Sequence, residues 1–113
     1  MLHVYMKDSS LLYHTSEFAQ EVVRLLCIED LDIEITFDDE ITDHGYCYID
    51  IIGKHSNIDI VISENINRTE QLITIAHELV HACQFKLGFE LNEGVAYFIE
   101  ESLYLEALVN TYE

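Results

Sequence analysis

Two histidines and a glutamate in the second half of the chain have a spacing that suits metal chemistry. His77-Glu78-Leu79-Val80-His81 is an HExxH sequence. On a helix, residues four apart lie one above the other, so both imidazoles point the same way and can share one tetrahedral cation. Glu78 is turned by about a hundred degrees from His77, which lets its carboxylate reach a water in the fourth position instead. The pattern predicts one zinc ion on His77 and His81, with Glu78 as general base.

A third protein ligand is expected, because catalytic zinc usually keeps three and leaves one position open. Glu93 is the first choice: it stands twelve residues after His81, just past a turn, where a returning helix would face the first one. Glu90, Glu100 and Glu101 are alternatives. The alternative interpretation involves no metal. In that case Glu93 is a carboxylate stabilised by the dipole of its helix, and the HExxH motif is two helix histidines beside a glutamate.

The motif is expected to lie on a helix with clear ends. Asn67, followed three residues later by Glu70, indicates a helix start, and Gly88 is typical of the residue just past a helix end. Apolar residues recur between them at steps of three and four: Leu72, Ile73, Ala76, Leu79, Val80, Cys83 and Leu87. A glutamate helix should follow from Asn92 to roughly Val109. Its predicted inner face consists of Val95, Ala96, Ile99, Leu103 and Ala107.

The residue patterns before the motif predict a helix and a small sheet. The apolar face of the N-terminal helix is formed by Phe18, Ala19, Val22, Val23 and Leu26. Residues 31–37, 46–52 and 58–62 alternate or are rich in β-branched and aromatic residues, with turns at 38–45 and 53–57. Residues 2–6 also alternate and fit a short strand. We expect a single α+β domain over 1–113, in which the N-terminal helix precedes a three-stranded, mostly antiparallel sheet and the two later helices.

The charge of the chain limits its partners. Twenty-two Asp and Glu against five Lys and Arg give a net charge of −17. This charge repels nucleic-acid phosphates and anionic lipid surfaces, so neither nucleic acid nor a membrane is an expected partner. It attracts divalent cations and basic peptides, although an acidic surface that only aids solubility would look the same.

The cysteines and the N-terminus indicate a compartment. Cys27, Cys47 and Cys83 are odd in number and form no CxxC pair, which is unlike a disulfide framework. Met1 to Lys7 lacks the features of a signal peptide, and no apolar run is long enough to span a membrane. We expect a soluble protein in the cytoplasm of a cell or of a virus-infected cell.

The two motifs together resemble those of the gluzincin metallopeptidases. HELVH is followed by Asn92-Glu93-Gly94-Val95-Ala96, which is similar to the second gluzincin signature, a glutamate helix reading ExxA or ExxD. The resemblance implies His77, His81 and Glu93 as zinc ligands, Glu78 as base, and a peptide or protein substrate. It is carried by residues 75–96, and the size and element order are similar to those of the minimal single-domain gluzincins.

Other metallopeptidase classes fit less well. Metzincins would have Gly at position 84 and His at position 87, where this chain has Gln84 and Leu87, and an HExxHxxxH peptidase would have His at position 85, where Phe85 stands. Gluzincins commonly stabilise the oxyanion with a Tyr or His. The residues eligible for that role are His44, His55, Tyr46, Tyr48, Tyr97 and Tyr104.

The sequence therefore predicts a zinc metalloendopeptidase. Two alternatives remain: an acidic interaction or inhibitor protein, for example a virus-encoded one, and a zinc-binding pseudo-peptidase whose cleft is blocked by the last helix. Substrate preference and oligomeric state are left open by the sequence.

Overall fold

The protein contains three helices and one sheet, with strands and helices largely in separate runs, which agrees with the predicted α+β class. The computed structural model describes residues 1–112. In these residues the order of elements is β1 (Leu2–Tyr5), α1 (Ser9–Leu25), β2 (Asp32–Asp38), β3 (Gly45–Ile52), β4 (His55–Ser63), α2 (Arg68–Lys86) and α3 (Glu93–Thr111).

The sheet differs from the predicted three-stranded antiparallel meander. Within the described chain it has four strands in the order β1-β2-β4-β3, and only the β3–β4 pair is antiparallel. The meander was wrong because β4 lies between β2 and β3 and runs parallel to β2. β2 and β4 contain the fully buried isoleucines of the sheet: Ile33, Ile35, Ile58, Ile60 and Ile62. Strands with such buried side chains lie at the centre of a sheet and not at its edge. β3 exposes Tyr48, Ile51 and Ile52 and becomes an edge strand.

The turn between β3 and β4 is also tighter than predicted. The expected loop over 53–57 reduces to Gly53 and Lys54, and Ile52 pairs with His55 at the end of the ladder. Gly53 has a φ of +63°, the left-handed conformation that two-residue hairpins require and glycine adopts without strain. β4 therefore begins three residues earlier than the apolar run indicates.

The helices form two further layers on one face of the sheet. α1 and α2 pack on the strands, and α3 packs on α1 and α2. Four of the five residues predicted for the inner face of α1 are fully buried: Phe18, Ala19, Val22 and Val23. The fifth, Leu26, is the C-cap residue and is half-buried against the core. Among the described residues, no helix is both long enough and apolar enough to cross a bilayer.

The two later helices begin and end close to the predicted residues. The Asn67 side chain accepts a hydrogen bond from the backbone N–H of Glu70, and the Asn92 side chain accepts one from Val95. Gly88, just past α2, has a φ of +78°. The predicted inner face of α3 is only partly right. Ala96 and Ala107 are fully buried, but Val95 is exposed, because α3 covers other helices rather than the sheet and buries a narrower stripe.

Gly45 allows a close approach between the start of β3 and α2. A Cβ atom at this position would lie 2.7 Å from Thr74 Cγ2 and 2.7 Å from the backbone oxygen of Val61. The backbone contact cannot be relieved by rotating a side chain, so β3 or α2 would have to move. A residue larger than glycine would therefore disturb the junction that bears Thr74.

We predict that Gly45→Ala lowers the free energy of unfolding by about 2 kcal/mol, the usual magnitude for overpacking. Urea denaturation followed by circular dichroism measures the change. Gly53→Asn is the matched control, because Asn tolerates left-handed backbone and a Cβ there meets no atom within 4 Å. Equal stability of Gly45→Ala and the wild type would show that the junction adapts.

Candidate metal centre

His77, Glu78 and His81 lie together in the buried middle of α2. Their relative exposures are 7%, 4% and 2%. One potential ligand atom of each lies within 4.8 Å of the others. Ionisable groups are rarely so buried unless they are paired or bind a metal. The cluster can therefore hold a metal ion.

Glu93 is brought to the same point by α3. It is the first residue of that helix, directly after the Asn92 cap. Its Oε2 lies 3.1 Å from His77 Nε2, and its Oε1 lies 2.5 Å from His81 Nε2. One carboxylate thus faces both imidazoles, which is the arrangement expected from the sequence for a third ligand.

The other nitrogen of His81 is fixed by Gln84. Gln84 Oε1 lies 2.9 Å from His81 Nδ1 and accepts a hydrogen bond from the backbone N–H of Asn92 at 3.0 Å. Gln84 Nε2 donates to the Asn92 carbonyl at 3.2 Å. Because the Asn92 backbone fixes which end of the amide is oxygen, His81 Nδ1 must donate its proton to that oxygen. In the neutral ring, His81 Nε2 then carries a lone pair.

The other nitrogen of His77 is fixed by Glu100. Its Oε2 lies 2.8 Å from His77 Nδ1, and a carboxylate can only accept. His77 Nε2 is therefore a lone-pair atom as well when the ring is neutral. A carboxylate or amide oxygen behind a ligand histidine is typical of metal sites, where it fixes the tautomer and raises the basicity of the ring.

The facing atoms are consequently all electron-pair donors. Two imidazole nitrogens and the Glu93 carboxylate repel one another unless a proton or a cation lies between them. Two nitrogens and one oxygen are a donor set that suits zinc and similar divalent cations. The chemistry of the residues present therefore fits a metal ion.

Glu78 stands beside this cluster without a partner. Among the described residues, none forms a hydrogen bond with its carboxylate, whose oxygens are not among the fully buried unpaired atoms. Burial is the main cause that raises the pKa of Glu78. The nearby imidazoles oppose this effect, and the charges of Glu93 and Glu100 add to it. A buried carboxylate with a raised pKa is a stronger base than an exposed one.

A cleft of about 780 Å³ opens next to the cluster. Its walls come from the segment before and at the start of β3, from one face of α2 and from the first turns of α3. It is lined by Thr42, Asp43, His44, Gly45, Tyr46, Glu70, Ile73, Thr74, His77, Glu78, Glu93, Tyr97 and Glu100. The side chains of His77, Glu78 and Glu93 are thus reachable from the surface of the protein.

The candidates for oxyanion stabilisation separate into two groups. His44, Tyr46 and Tyr97 line the cleft, and the Tyr97 ring centre lies 4.7 Å from that of His77. The other three do not line it: His55 lies 3.1 Å from Asp32, Tyr104 packs on Phe18, and Tyr48 packs on Tyr46. Three other glutamates were alternatives for the third ligand. Glu100 contacts His77 Nδ1, on the side of the ring away from Glu93. Glu90 and Glu101 are exposed and lie outside the cleft.

Sequence reasoning missed Gln84 and Glu100 as the partners of the histidines. Gln84 lies three residues after His81, a spacing that puts two helix side chains in contact. Glu100 lies two turns after Glu93 on the same face of α3. Both signals were present in the sequence, but they depend on how α3 meets α2, which spacing alone does not give.

We predict that Gln84→Met weakens binding of a divalent cation about 10- to 100-fold, because His81 loses the acceptor that orients it. Competition between the protein and a chromogenic chelator for Co²⁺ measures the affinity. Gln84→Glu keeps an acceptor for His81 Nδ1 and should bind within a few-fold of the wild type. Unchanged affinity in Gln84→Met would mean that Gln84 only joins the two helices.

No protein-family profile matches this chain, and no curated protein or solved structure matches it either. What can be said of its chemistry therefore rests on the positions of its own residues. The strongest of these observations is the convergence of His77, His81 and Glu93 beside the unpartnered Glu78.

Proposed function

We propose that the protein is a zinc-dependent metallopeptidase of the gluzincin type. His77, His81 and Glu93 hold one zinc ion per chain, and Glu78 is the general base. The observation that carries the proposal is that both histidine Nε2 atoms lie within 3.1 Å of one carboxylate. Neither nitrogen can donate to it while the ring is neutral, because the Nδ1 atom of each ring already carries the proton.

The donor set supports zinc, and one of the two spacings is compatible with it. Ligand atoms bound to a tetrahedral zinc at about 2.0–2.1 Å lie roughly 3.3–3.4 Å apart. The distance between His77 Nε2 and Glu93 Oε2 is 3.1 Å, close to that value, whereas that between His81 Nε2 and Glu93 Oε1 is 2.5 Å, so Glu93 would have to move away from His81 when the ion binds. A zinc ion with three protein ligands keeps an open position for water and lowers the pKa of that water to about 7.

Glu78 supplies the proton transfers that peptide hydrolysis needs. Its carboxylate is held next to the ligand atoms and lines the cleft, where a substrate carbonyl would arrive. In this role it accepts a proton from the attacking water and delivers it to the amine that leaves. His44, Tyr46 or Tyr97 would donate a hydrogen bond to the oxyanion, because these are the residues of suitable chemistry in the cleft.

The edge strand β3 supports an extended peptide as substrate. β3 pairs with β4 on one side only, so its other side presents free backbone groups, and its first residues line the cleft. A peptide added to this edge would gain backbone hydrogen bonds regardless of its sequence. Its carbonyl groups would then pass beside the metal cluster.

The two rival functions make different demands on the same residues. A pseudo-peptidase blocked by the last helix is disfavoured because the side chain of Glu93, the first residue of α3, is 63% exposed and the cleft is open beside it. An acidic interaction protein is favoured by the net charge of −17. That charge gives no reason, however, for one carboxylate to face two buried imidazoles.

We predict that Glu78→Gln abolishes hydrolysis of an unfolded protein substrate while zinc remains near one per chain. The amide keeps the shape of the side chain but cannot accept the proton, and loss of a general base typically reduces the rate 10²–10⁴-fold. Elemental analysis and a fluorescent casein assay measure the two properties. Glu101→Gln, an exposed carboxylate on α3, is the matched control and should retain full activity.

Wild-type activity in Glu78→Gln would remove Glu78 as the base. Zinc at one per chain with no cleavage by the wild type would instead indicate the pseudo-peptidase. No zinc and no cleavage would indicate the acidic interaction protein.

We also predict that zinc stabilises the fold. An ion that binds only the folded protein adds about 2.7 kcal/mol at a free concentration of 100 Kd, equivalent to a rise in Tm of roughly 10 °C for a domain of this size. Differential scanning fluorimetry with zinc and with a chelator measures it. Magnesium, which prefers oxygen ligands, is the control and should leave the Tm unchanged. Equal Tm values with zinc and with chelator would contradict the proposed site.

A further inference from the structure

The cleft extends beyond the metal cluster toward the N-terminal end of α2, and its wall there is acidic. Asp43, just before β3, and Glu70, in the first turn of α2, both line it. Neither belongs to the cluster of His77, Glu78, His81 and Glu93. None of the described residues that line the cleft is a Lys or an Arg. The wall therefore carries two carboxylates that the proposed reaction does not use.

The cations of the chain are engaged elsewhere or lie outside the cleft. Arg24 pairs with Glu21, and Lys86 pairs with Asp30. The basic group nearest to Glu70 is His44, whose Nε2 lies 3.9 Å from Glu70 Oε2. That distance is longer than a hydrogen bond, so the Glu70 carboxylate can still bind a cationic group directly.

A second observation indicates that this cleft receives a ligand. Glu78 is 96% buried as a residue and lines the same cleft, and no described residue forms a hydrogen bond with its carboxylate. Its oxygens are not among the fully buried unpaired atoms, so they face the open cleft. The acidic wall therefore borders a cleft that already presents an unpartnered carboxylate.

We propose that the cleft selects peptides with a Lys or Arg side chain, which is held where Asp43 and Glu70 stand. This inference rests on the proposed peptidase function and names its substrate class. A concave wall of one charge concentrates the field of its carboxylates, and the remaining charge of the chain attracts the same cationic peptides over longer distances. A peptide with an acidic side chain at that position is repelled.

The geometry also gives the position of the basic residue relative to the cleaved bond. Glu70 and His77 are seven residues apart on one face of α2, with Thr74 between them on the cleft wall. Seven residues of helix correspond to about 10 Å. An extended peptide covers that distance in about three residues. The basic side chain is therefore expected two or three residues from the bond that is cleaved, on one side of it.

Cleavage of a fluorogenic peptide series tests the inference. Each peptide carries Lys, norleucine or Glu at one position within four residues of a fixed cleavage site. Norleucine has nearly the length of Lys without its charge. The expected result is at least a fivefold higher kcat/KM for Lys than for norleucine at a single position two or three residues from the bond, with a preference that shrinks as salt rises.

The double variant D43N/E70Q is expected to lose this preference, so that its kcat/KM values for the Lys and norleucine peptides become equal. E106Q, an exposed carboxylate outside the cleft, is the matched control and should keep the preference. Equal cleavage of the Lys and norleucine peptides by the wild type, or a preference that survives in the double variant, would overturn the inference.

A binding measurement separates this inference from the proposed function. Zinc-loaded E78Q is titrated into fluorescein-labelled Lys and norleucine peptides, and anisotropy gives the two Kd values. Tighter binding of the Lys peptide that disappears when D43N/E70Q is added to E78Q supports the acidic subsite even if the wild type cleaves nothing. Equal Kd values would overturn the subsite whether or not the wild type is a peptidase.

Discussion

The repulsion between three electron-pair donors is the constraint on which the arrangement of the helices depends. The Nε2 atoms of His77 and His81 and the carboxylate of Glu93 meet at distances of 2.5 and 3.1 Å in a site that is closed on the α2 side. Burial strengthens their mutual repulsion, which is relieved either by a proton on an Nε2 atom or by a cation between the three groups. A cation at the centre turns the same contacts into attraction. The arrangement of these residues can therefore hold a metal ion.

The scaffold holds these atoms through a small number of contacts between α2 and α3. Gln84 links His81 to the backbone of Asn92, so the residue that orients a histidine also fixes the start of the helix that bears Glu93. Glu100 extends the same connection from α3 back to His77. The Nδ1 atom of each histidine thus contacts a group whose position depends on the junction of α2 and α3. The orientation of the two histidines therefore depends on how these helices pack.

Much of the site followed from local patterns, and much of the sheet did not. The first residues of α2 and α3 were predictable, because Asn67 and Asn92 cap these helices through hydrogen bonds to residues three positions later. Glu93 could be chosen because a short link forces the next helix back over the first. The order β1-β2-β4-β3 could not be predicted, since alternation indicates which face of a strand is buried but not which strands are neighbours. The acidic wall formed by Asp43 and Glu70 could not be predicted from the sequence either. These residues line the same cleft only because β3 is the edge strand beside α2.

The most direct test of the account is anomalous X-ray diffraction from crystals of the zinc-loaded protein, with data collected on both sides of the zinc absorption edge. A single strong anomalous peak per chain is expected, at about 2.0–2.2 Å from the Nε2 atoms of His77 and His81 and from a carboxylate oxygen of Glu93. A peak at any other position, or a zinc bound by the two histidines with the Glu93 side chain turned away, would contradict it.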